Sequence, residues 1–199
     1  MRKIITTTFV TLDGVLQAPG GPDEDKDSGF KYGGWQLGGH YEDKVSGKIM
    51  NEFMTTPFEL LLGRRTYDIF ASYWPKHPEI ELVAKPFNST KKYVVSHEQR
   101  KLSWENSTLI TGDVVSQIKN LKKENGPDLV VWGSGNLIQT LLSENLIDRM
   151  HIWTYPVTIG TGKKLFAGGT QPERFKSVEI KVTGTGVILA TYEPVGALK

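Results

Sequence analysis

Leu129-Val-Val-Trp-Gly-Ser-Gly-Asn-Leu-Ile-Gln-Thr-Leu-Leu142 is an apolar run that reaches two glycines and then continues with helical spacing. The pattern predicts a strand, a tight turn and a helix. Gly133 and Gly135 permit a backbone that side chains would obstruct, and the first helical amides would lack intrahelical acceptors. Such a helix start can bind a phosphate. The dinucleotide fingerprint needs a third glycine where Ile138 stands, so a plain glycine turn that allows close packing is the alternative.

The composition indicates one domain that spans residues 1–199. A chain of 199 residues can bury one sizeable core and is short for two. Its 24 basic and 22 acidic residues are mixed along the chain, without the basic cluster of a nucleic-acid binder. No run approaches the ~20 apolar residues that span a bilayer. We therefore expect a cytoplasmic protein that binds neither nucleic acid nor membrane.

Thiol and metal chemistry are disfavoured by the residue types present. The chain has no cysteine, which excludes disulfides, a thiolate nucleophile and cysteine-ligated zinc, and suits a reducing cytosol. The four histidines show no metal-ligand spacing. We expect no metal site.

Strand-like and helix-like segments alternate along the chain. Runs rich in β-branched and aromatic residues predict strands at 3–12, 58–62, 92–96, 108–111, 129–132, 147–157, 177–183 and 187–193. Apolar residues at helical spacing predict helices at 41–54, 67–73, 80–84 and 114–124, and from the glycine turn to Leu142. The last two strands flank a Gly-Thr-Gly turn and should form an antiparallel hairpin at one edge of the sheet. The alternation predicts an α/β sandwich with a mixed sheet.

A long irregular segment separates the first strand from the first helix. Residues 17–39 are rich in glycine, proline and acidic residues and are too polar to be a core element. Ordered loops of this length are usually functional lids, and the alternative is a disordered insertion. Phe30, Tyr32 and Trp35 favour the lid, because large aromatic side chains are costly to leave in a disordered tether.

Three predicted strand ends should line one groove. They are Gly63-Arg64-Arg65-Thr66, Val95-Ser96 and Gly133-Ser134-Gly135-Asn136. The carboxyl ends of parallel strands meet at one edge of a sheet, where open α/β folds bind ligands. Two guanidinium groups, two hydroxyls and helix-start amides would suit a phosphorylated dinucleotide. The alternative for the arginines is a solvated or salt-bridged pair beside a helix start.

The ordered set of motifs resembles the dihydrofolate-reductase-like family that is related to the reductase (C-terminal) domain of bacterial bifunctional riboflavin-biosynthesis deaminase/reductase. The resemblance covers nearly the whole chain. It rests on Thr11-Leu-Asp-Gly14, Leu62-Gly-Arg-Arg-Thr-Tyr67 with Trp74-Pro75, Val94-Val-Ser96, Val131-Trp-Gly-Ser-Gly135, Asp148 through Pro156, Ile159-Gly-Thr-Gly162 and Leu165-Phe166.

The resemblance implies a dihydrofolate-reductase-like three-layer sandwich with a mostly parallel sheet, NADPH as the hydride donor and a homodimer. It implies that Gly63, Arg64, Arg65 and Thr66 meet the adenosine-side and linking phosphates, and that Ser96 lies near the 2′-phosphate. Gly133, Ser134, Gly135, Asn136 and Leu137 would cradle the pyrophosphate. The loop after Asp13-Gly14 would cover the nicotinamide.

The catalytic acid is less clearly marked. Dihydrofolate reductases carry one acidic residue in the first helix, and neither Glu42 nor Asp43 fits that position securely, which puts folate in doubt as the substrate. Asp13 is the better candidate for a polar role at the active-site mouth, against a turn-forming aspartate before glycine. Ser134 lacks the glycine spacing of a nucleophile elbow, which excludes a serine hydrolase.

We therefore expect an NADPH-dependent reductase of a small heterocyclic substrate, similar to a pteridine or a ribosylaminopyrimidine, or of a carbonyl compound. Trp132, Trp153 and Tyr155 could form a stacking wall for a flat ring or simply belong to the core. The alternative function is a nucleotide-binding module without turnover. We predict that Arg65→Ala weakens NADPH more than NADH, because a lost guanidinium contact to the extra phosphate is felt only by the phosphorylated cofactor.

Overall fold

The structure is a computed structural model that describes residues 1–36, 43–166 and 168–198. The strands are β1 (Ile4–Thr11), β2 (Phe58–Gly63), β3 (Lys92–Val95), β4 (Ser107–Ile110), β5 (Asp128–Trp132), β6 (Arg149–Tyr155), β7 (Glu173–Val182) and β8 (Ile188–Ala197). They form a single eight-stranded sheet in the order β4-β3-β2-β5-β1-β6-β8-β7. β1 to β6 pair in parallel, whereas β8 is antiparallel to both β6 and β7. The predicted α/β fold, with a mostly parallel sheet and an antiparallel C-terminal hairpin at one edge, is confirmed.

Five α-helices join the strands within the described ranges. They are α1 (Lys44–Thr55), α2 (Arg64–Tyr73), α3 (Glu81–Ser89), α4 (Val114–Lys123) and α5 (Gly135–Ser143). The predicted start of α1 at residue 41 lies outside the described residues. The predicted start of α2 at residue 67 is wrong, because the helix begins at Arg64. Its first turn carries no apolar signal, since Arg64 and Arg65 are exposed and the buried face begins at Tyr67.

The predicted end of α3 at Ala84 is also wrong. The helix continues to Ser89 although Pro86 lies inside it and lacks an amide donor. Phe87, which is completely buried, packs its ring against those of Phe58, Phe70 and Trp74. These contacts place Phe87 in the core and hold the last helical turn against the sheet.

Two apolar clusters lie on the two faces of the sheet. One unites Ile4, Val131 and Leu61 of the sheet with buried residues of α4 and α5, among them Ile118 and Ile138. The other unites Phe9, Leu62 and Trp153 of the sheet with Ile49 of α1 and Phe70 of α2, together with Phe87 of α3. Helices therefore cover both faces of the sheet. None of the helices in the described ranges is both long and apolar enough to cross a membrane.

The strand order decides where the loops meet. β5 lies between β2 and β1, and all three are parallel. The turn from β2 into α2 is therefore next to the turn from β5 into α5. The loop that follows β3 leaves the same edge of the sheet, because β3 is parallel to β2.

Candidate functional site

The turns that begin α2 and α5 are hydrogen-bonded to each other. The Gly63 amide donates to Ser134 Oγ (3.0 Å), and the Ser134 amide donates to Thr66 Oγ1 (3.2 Å). Gly133 and Ser134 both adopt left-handed backbone conformations, with φ values of 60° and 58°. Two consecutive left-handed residues turn the chain sharply at the end of β5. The result is a fixed pair of helix starts.

Neither helix start has a side-chain cap. Gly63 precedes α2 and has no side chain, and the Ser134 hydroxyl that precedes α5 donates instead to the carbonyl of Trp132 (3.3 Å). The first amides of each helix thus keep their donor capacity, and the two helix dipoles add positive potential. Two such ends side by side are well suited to bind an anion.

The site is part of a cleft of about 1940 Å³. Its lining includes all ten residues that the sequence marks for a nucleotide: Gly63, Arg64, Arg65, Thr66, Ser96, Gly133, Ser134, Gly135, Asn136 and Leu137. A Cβ at Gly135 would lie 3.0 Å from Leu16 Cδ2, and one at Gly133 would lie 3.7 Å from Thr66 Cγ2. Side chains at these positions would narrow the approach to the amides. The local shape fits a phosphate-bearing cofactor.

A basic pair lies at the end of the cleft beside β3. Arg100 makes two hydrogen bonds to Asp68, at 3.0 and 2.6 Å, and Arg64 donates to the same carboxylate (3.1 Å). Ser96 is bonded within its own loop, because its hydroxyl donates to the Glu98 carbonyl (2.9 Å) and accepts from the Glu98 amide. The sequence reasoning missed Arg100. The only available signal was its position four residues after Ser96, in the loop that follows β3.

A second charged cluster joins two acidic residues of the segment after β1 to two basic residues elsewhere in the cleft lining. Arg65 pairs with Asp25 (3.2 Å) and Asp27 (2.8 Å), and Lys163 pairs with the same two carboxylates at 2.7 and 2.9 Å. Burial alone would raise the pKa of Asp25, but the hydrogen bond from Lys163 and the charges of Lys163 and Arg65 outweigh it and lower that pKa. The salt-bridged alternative for Arg65 is therefore present, with partners that the sequence did not identify.

The described part of the predicted lid, residues 17–36, is packed onto the cleft. The Gln17 side chain donates to the carbonyls of Asp25 and Asp27 and accepts from the Lys163 amide (3.0 Å). Trp35 Nε1 donates to the Gln17 carbonyl (2.8 Å). Glu24 also lines the cleft, and burial raises the pKa of its carboxyl despite hydrogen bonds from two glycine amides.

Asp13 lies outside the lining of the cleft. Its carboxylate accepts from the Thr11 hydroxyl (2.6 Å) and from the amides of Ile159 and Gly160 (3.2 and 2.7 Å). The hydrogen bonds from Thr11 and Gly160 lower the pKa of Asp13 to about 2. A carboxyl group with so low a pKa is a poor proton donor near neutral pH. The geometry gives Asp13 a structural role, which is to join the turn after β1 to the turn after β6.

The other acids in question also have other contacts or lie outside the described residues. Asp43 caps α1 by accepting from the Ser46 amide (2.9 Å), and it accepts from the Gly184 amide as well (3.1 Å). Glu42 is outside the described residues. Within the described ranges no cluster of three or more histidine, aspartate or glutamate side chains could hold a metal ion.

A family model described as the RibD C-terminal domain matches residues 2–189. The chain belongs to the RibD C-terminal domain family. Two curated relatives from Bacillus subtilis (strain 168) are similar over nearly their whole length. The uncharacterized protein YyaP is 28% identical over 198 residues, covering 96% of this chain and 94% of YyaP. The uncharacterized protein YwjB is 24% identical over 191 residues, covering 94% and 96%.

Solved structures agree with this RibD-type assignment at the level of the fold. A protein from Shewanella sp. PV-4, described as a riboflavin biosynthesis protein, has a TM-score of 0.68 at 22% identity and covers 96% of this chain and 98% of its own. Dihydrofolate reductase from Enterococcus faecalis, complexed with NADP(H), has a TM-score of 0.62 at 12% identity. The match covers 97% of this chain and 96% of the dihydrofolate reductase chain. A pyrimidine reductase-like protein from Corynebacterium diphtheriae has a TM-score of 0.60 at 12% identity, with 98% and 92% covered.

Proposed function

We propose that this RibD-type protein is an NADPH-dependent reductase of a small heterocyclic or carbonyl substrate. The observation that carries the proposal is the pair of uncapped helix starts of α2 and α5, which open into one cleft beside Arg64 and Arg65. A dinucleotide brings two linked phosphates to a protein, and this pair of helix ends offers amides and positive potential for both. The complex of one structural neighbour with NADP(H) supports the choice of cofactor.

In this proposal the amides that begin α2 and α5 hold the pyrophosphate, together with the glycine turn from Gly133 to Leu137. Arg64 and Arg100 receive the 2′-phosphate of NADPH, because both guanidinium groups lie at the Asp68 carboxylate beside β3. One carboxylate neutralises only part of their combined positive charge. This assignment replaces Ser96, whose hydroxyl is bonded within its loop. Arg65 then contacts the linking phosphates, after exchange of its present partners Asp25 and Asp27. The NADPH preference that the sequence predicts for Arg65→Ala is therefore proposed for Arg100→Ala instead.

When bound, NADPH supplies the hydride, so the protein contributes binding, orientation and proton delivery. Reduction of a C=N or C=O group also consumes a proton. Glu24 is the lining carboxyl group that is best suited to hold one, since burial raises its pKa. The segment 17–36 excludes water from the cleft where it packs.

A homodimer is part of the same proposal, and an exposed apolar face on the C-terminal hairpin supports it. Ile180 and Val182 of β7 are 59% and 61% exposed, and Ile188 of β8, the strand partner of Val182, is exposed as well. An apolar sheet face is usually covered. Sedimentation should give twice the chain mass for the wild type, and Ile180→Lys should shift the protein toward monomer. A monomeric wild type would contradict the dimer and leave the nucleotide site intact.

Nucleotide binding and turnover are tested separately. Tryptophan fluorescence should change when NADPH is added, with a weaker response to NADH. A panel of pterins, ribosylaminopyrimidines and quinones should then include a compound that oxidises NADPH, followed by its absorbance decay. If NADPH binds and none of these compounds oxidises it, the alternative of a binding module without turnover is favoured. If neither nucleotide binds, both functions are excluded.

A further inference from the structure

One part of the cleft carries no charge. Every lining residue that comes from β1, α1, β5 or β6 is uncharged, including Phe9, Met50, Trp132, Trp153 and Tyr155. The charged lining residues come from α2, from the loop after β3, and from segments 23–27 and 163–164. We call the uncharged part the aromatic end of the cleft. A buried ion would find no counter-charge among the cleft-lining residues of these four elements, so this end favours a neutral group.

The rings of the aromatic end form one cluster around Phe9. The Phe9 ring centre lies 5.8 Å from that of Trp153 and 6.0 Å from those of Trp132 and Tyr155, all in tilted or edge-to-face arrangements. The ring of Trp35, in the segment 17–36, packs against that of Tyr155, with 5.5 Å between the ring centres. Such surroundings suit a flat ring, which can meet ring faces and edges without disturbing them.

Trp153 has a hydrogen-bond donor without a partner. Its side chain is 1% exposed, and its Nε1 has no acceptor among the described residues. Two other indoles of the chain are satisfied, since Trp35 donates to the Gln17 carbonyl and Trp104 donates to Asn88 Oδ1 (2.9 Å). A buried donor that lacks a partner is unfavourable until an acceptor arrives.

Trp74 is the other indole whose Nε1 is fully buried and has no acceptor in the described residues. Its ring packs against Phe70 and Phe87, at 6.1 and 5.4 Å, and not against Phe9. Trp153 therefore supplies the buried indole donor of the aromatic end that lacks an acceptor among the described residues, and Thr8 Oγ1 of β1 is a second buried polar atom there without a partner.

We propose that Trp153 selects the substrate by donating its indole N–H to an acceptor on the edge of an uncharged planar ring. The acceptor is a carbonyl oxygen or a ring nitrogen, and the ring lies in the cleft against the lining surface formed by Phe9, Trp132 and Tyr155. This inference rests on the proposed function, because it takes the aromatic end to be the substrate half of the cleft. A positively charged ring would need a carboxylate partner, and none of the cleft-lining residues of β1, α1, β5 or β6 is acidic. The ring is therefore expected to be neutral.

Quinoline and naphthalene test the proposal as a matched pair, because the two rings have the same shape and only quinoline has an acceptor nitrogen. Binding is measured on the full chain without nucleotide, by titration followed in ¹H–¹⁵N spectra. Trp153→Phe keeps an aromatic ring and removes the donor, so it should weaken quinoline binding roughly 2- to 10-fold and leave naphthalene within about twofold. Trp104→Phe, which removes a donor away from the cleft, should change neither affinity.

Equal losses for the two probes in Trp153→Phe would overturn the proposal, and so would a loss caused by Trp74→Phe in place of Trp153→Phe. The wild-type protein provides a second readout that does not depend on the stability of a variant. The indole proton of Trp153 should move downfield with quinoline and not with naphthalene, and its failure to move would also overturn the proposal.

NADPH affinity is measured on the same samples and should not change in Trp153→Phe. If NADPH fails to bind the wild type while quinoline selectivity persists, the proposed function fails and the acceptor site stands. If NADPH binds and quinoline shows no selectivity, the acceptor site fails and the proposed function stands.

Discussion

Neutralising Asp25 should strengthen nucleotide binding. Asp25 is 11% exposed and bonds to Arg65 (3.2 Å) and Lys163 (2.7 Å), whose side chains are 46% and 38% exposed. A phosphate on Arg65 must replace this carboxylate. An ion pair between partly exposed groups contributes about 0.2–1 kcal/mol, so the Asp25–Arg65 pair opposes binding by up to about 1 kcal/mol, or roughly fivefold in affinity. Asp25→Asn keeps Oδ1, which accepts from the Asp27 amide, and replaces the charge and Oδ2, the acceptor of Lys163 Nζ, with a neutral amide group.

Isothermal titration of NADPH at fixed ionic strength measures the effect. Asp25→Asn should bind about five times more tightly than the wild type. Asp23→Asn is the matched control, because Asp23 lies in the same segment, changes the net charge equally and pairs only with Lys26 among the described ion pairs. Its affinity should stay within about twofold. Unchanged or weaker binding by Asp25→Asn would refute the competition and indicate that Asp25 holds Arg65 in place for the cofactor.

Three further changes test other parts of the site and the fold. Arg100→Ala should weaken NADPH roughly tenfold and NADH less than twofold, whereas Arg65→Ala should weaken both alike; a titration with both nucleotides checks this. Ser134→Ala leaves the Gly63 amide without its acceptor and should cost about 1–3 kcal/mol in urea unfolding, and an unchanged midpoint would contradict that bond. Burial, with the charge of Arg149, lowers the pKa of His151 from 6.5 to about 4. As the pH falls from 6.5 to 4, the unfolded chain binds a proton at His151 before the folded protein does, so folding is destabilised. The free energy of unfolding, measured with urea, should therefore fall by about 2 kcal/mol more in the wild type than in His151→Gln over this pH range.

The groove could be predicted from the sequence because it depends on strand ends. Glycines after two apolar runs predict tight turns, and parallel pairing places such turns at one edge. Gly63 and Gly133 therefore meet without any information on side chains. The order of the strands, which puts β5 between β2 and β1, comes from the structure.

Side-chain partners across loops could not be predicted in this way. Arg100 and Lys163 lie in irregular segments without periodicity, and their pairing with Asp68 and Asp25 depends on how distant loops pack. Asp13 shows the same limit, because an aspartate before glycine has one local pattern whether it serves chemistry or a turn. Its contacts with the turn after β6 span 146 and 147 residues of chain, a distance over which local pattern carries no information.

A crystal structure of the NADPH complex tests the central claim most directly. The account predicts the pyrophosphate within hydrogen-bond distance of the first amides of α2 and α5, the 2′-phosphate at Arg64 and Arg100, and Arg65 turned from Asp25 to phosphate. A nucleotide bound away from these helix starts would contradict the account. So would a bound nucleotide that leaves Arg65 paired with Asp25 and makes no contact with Arg64 or Arg100.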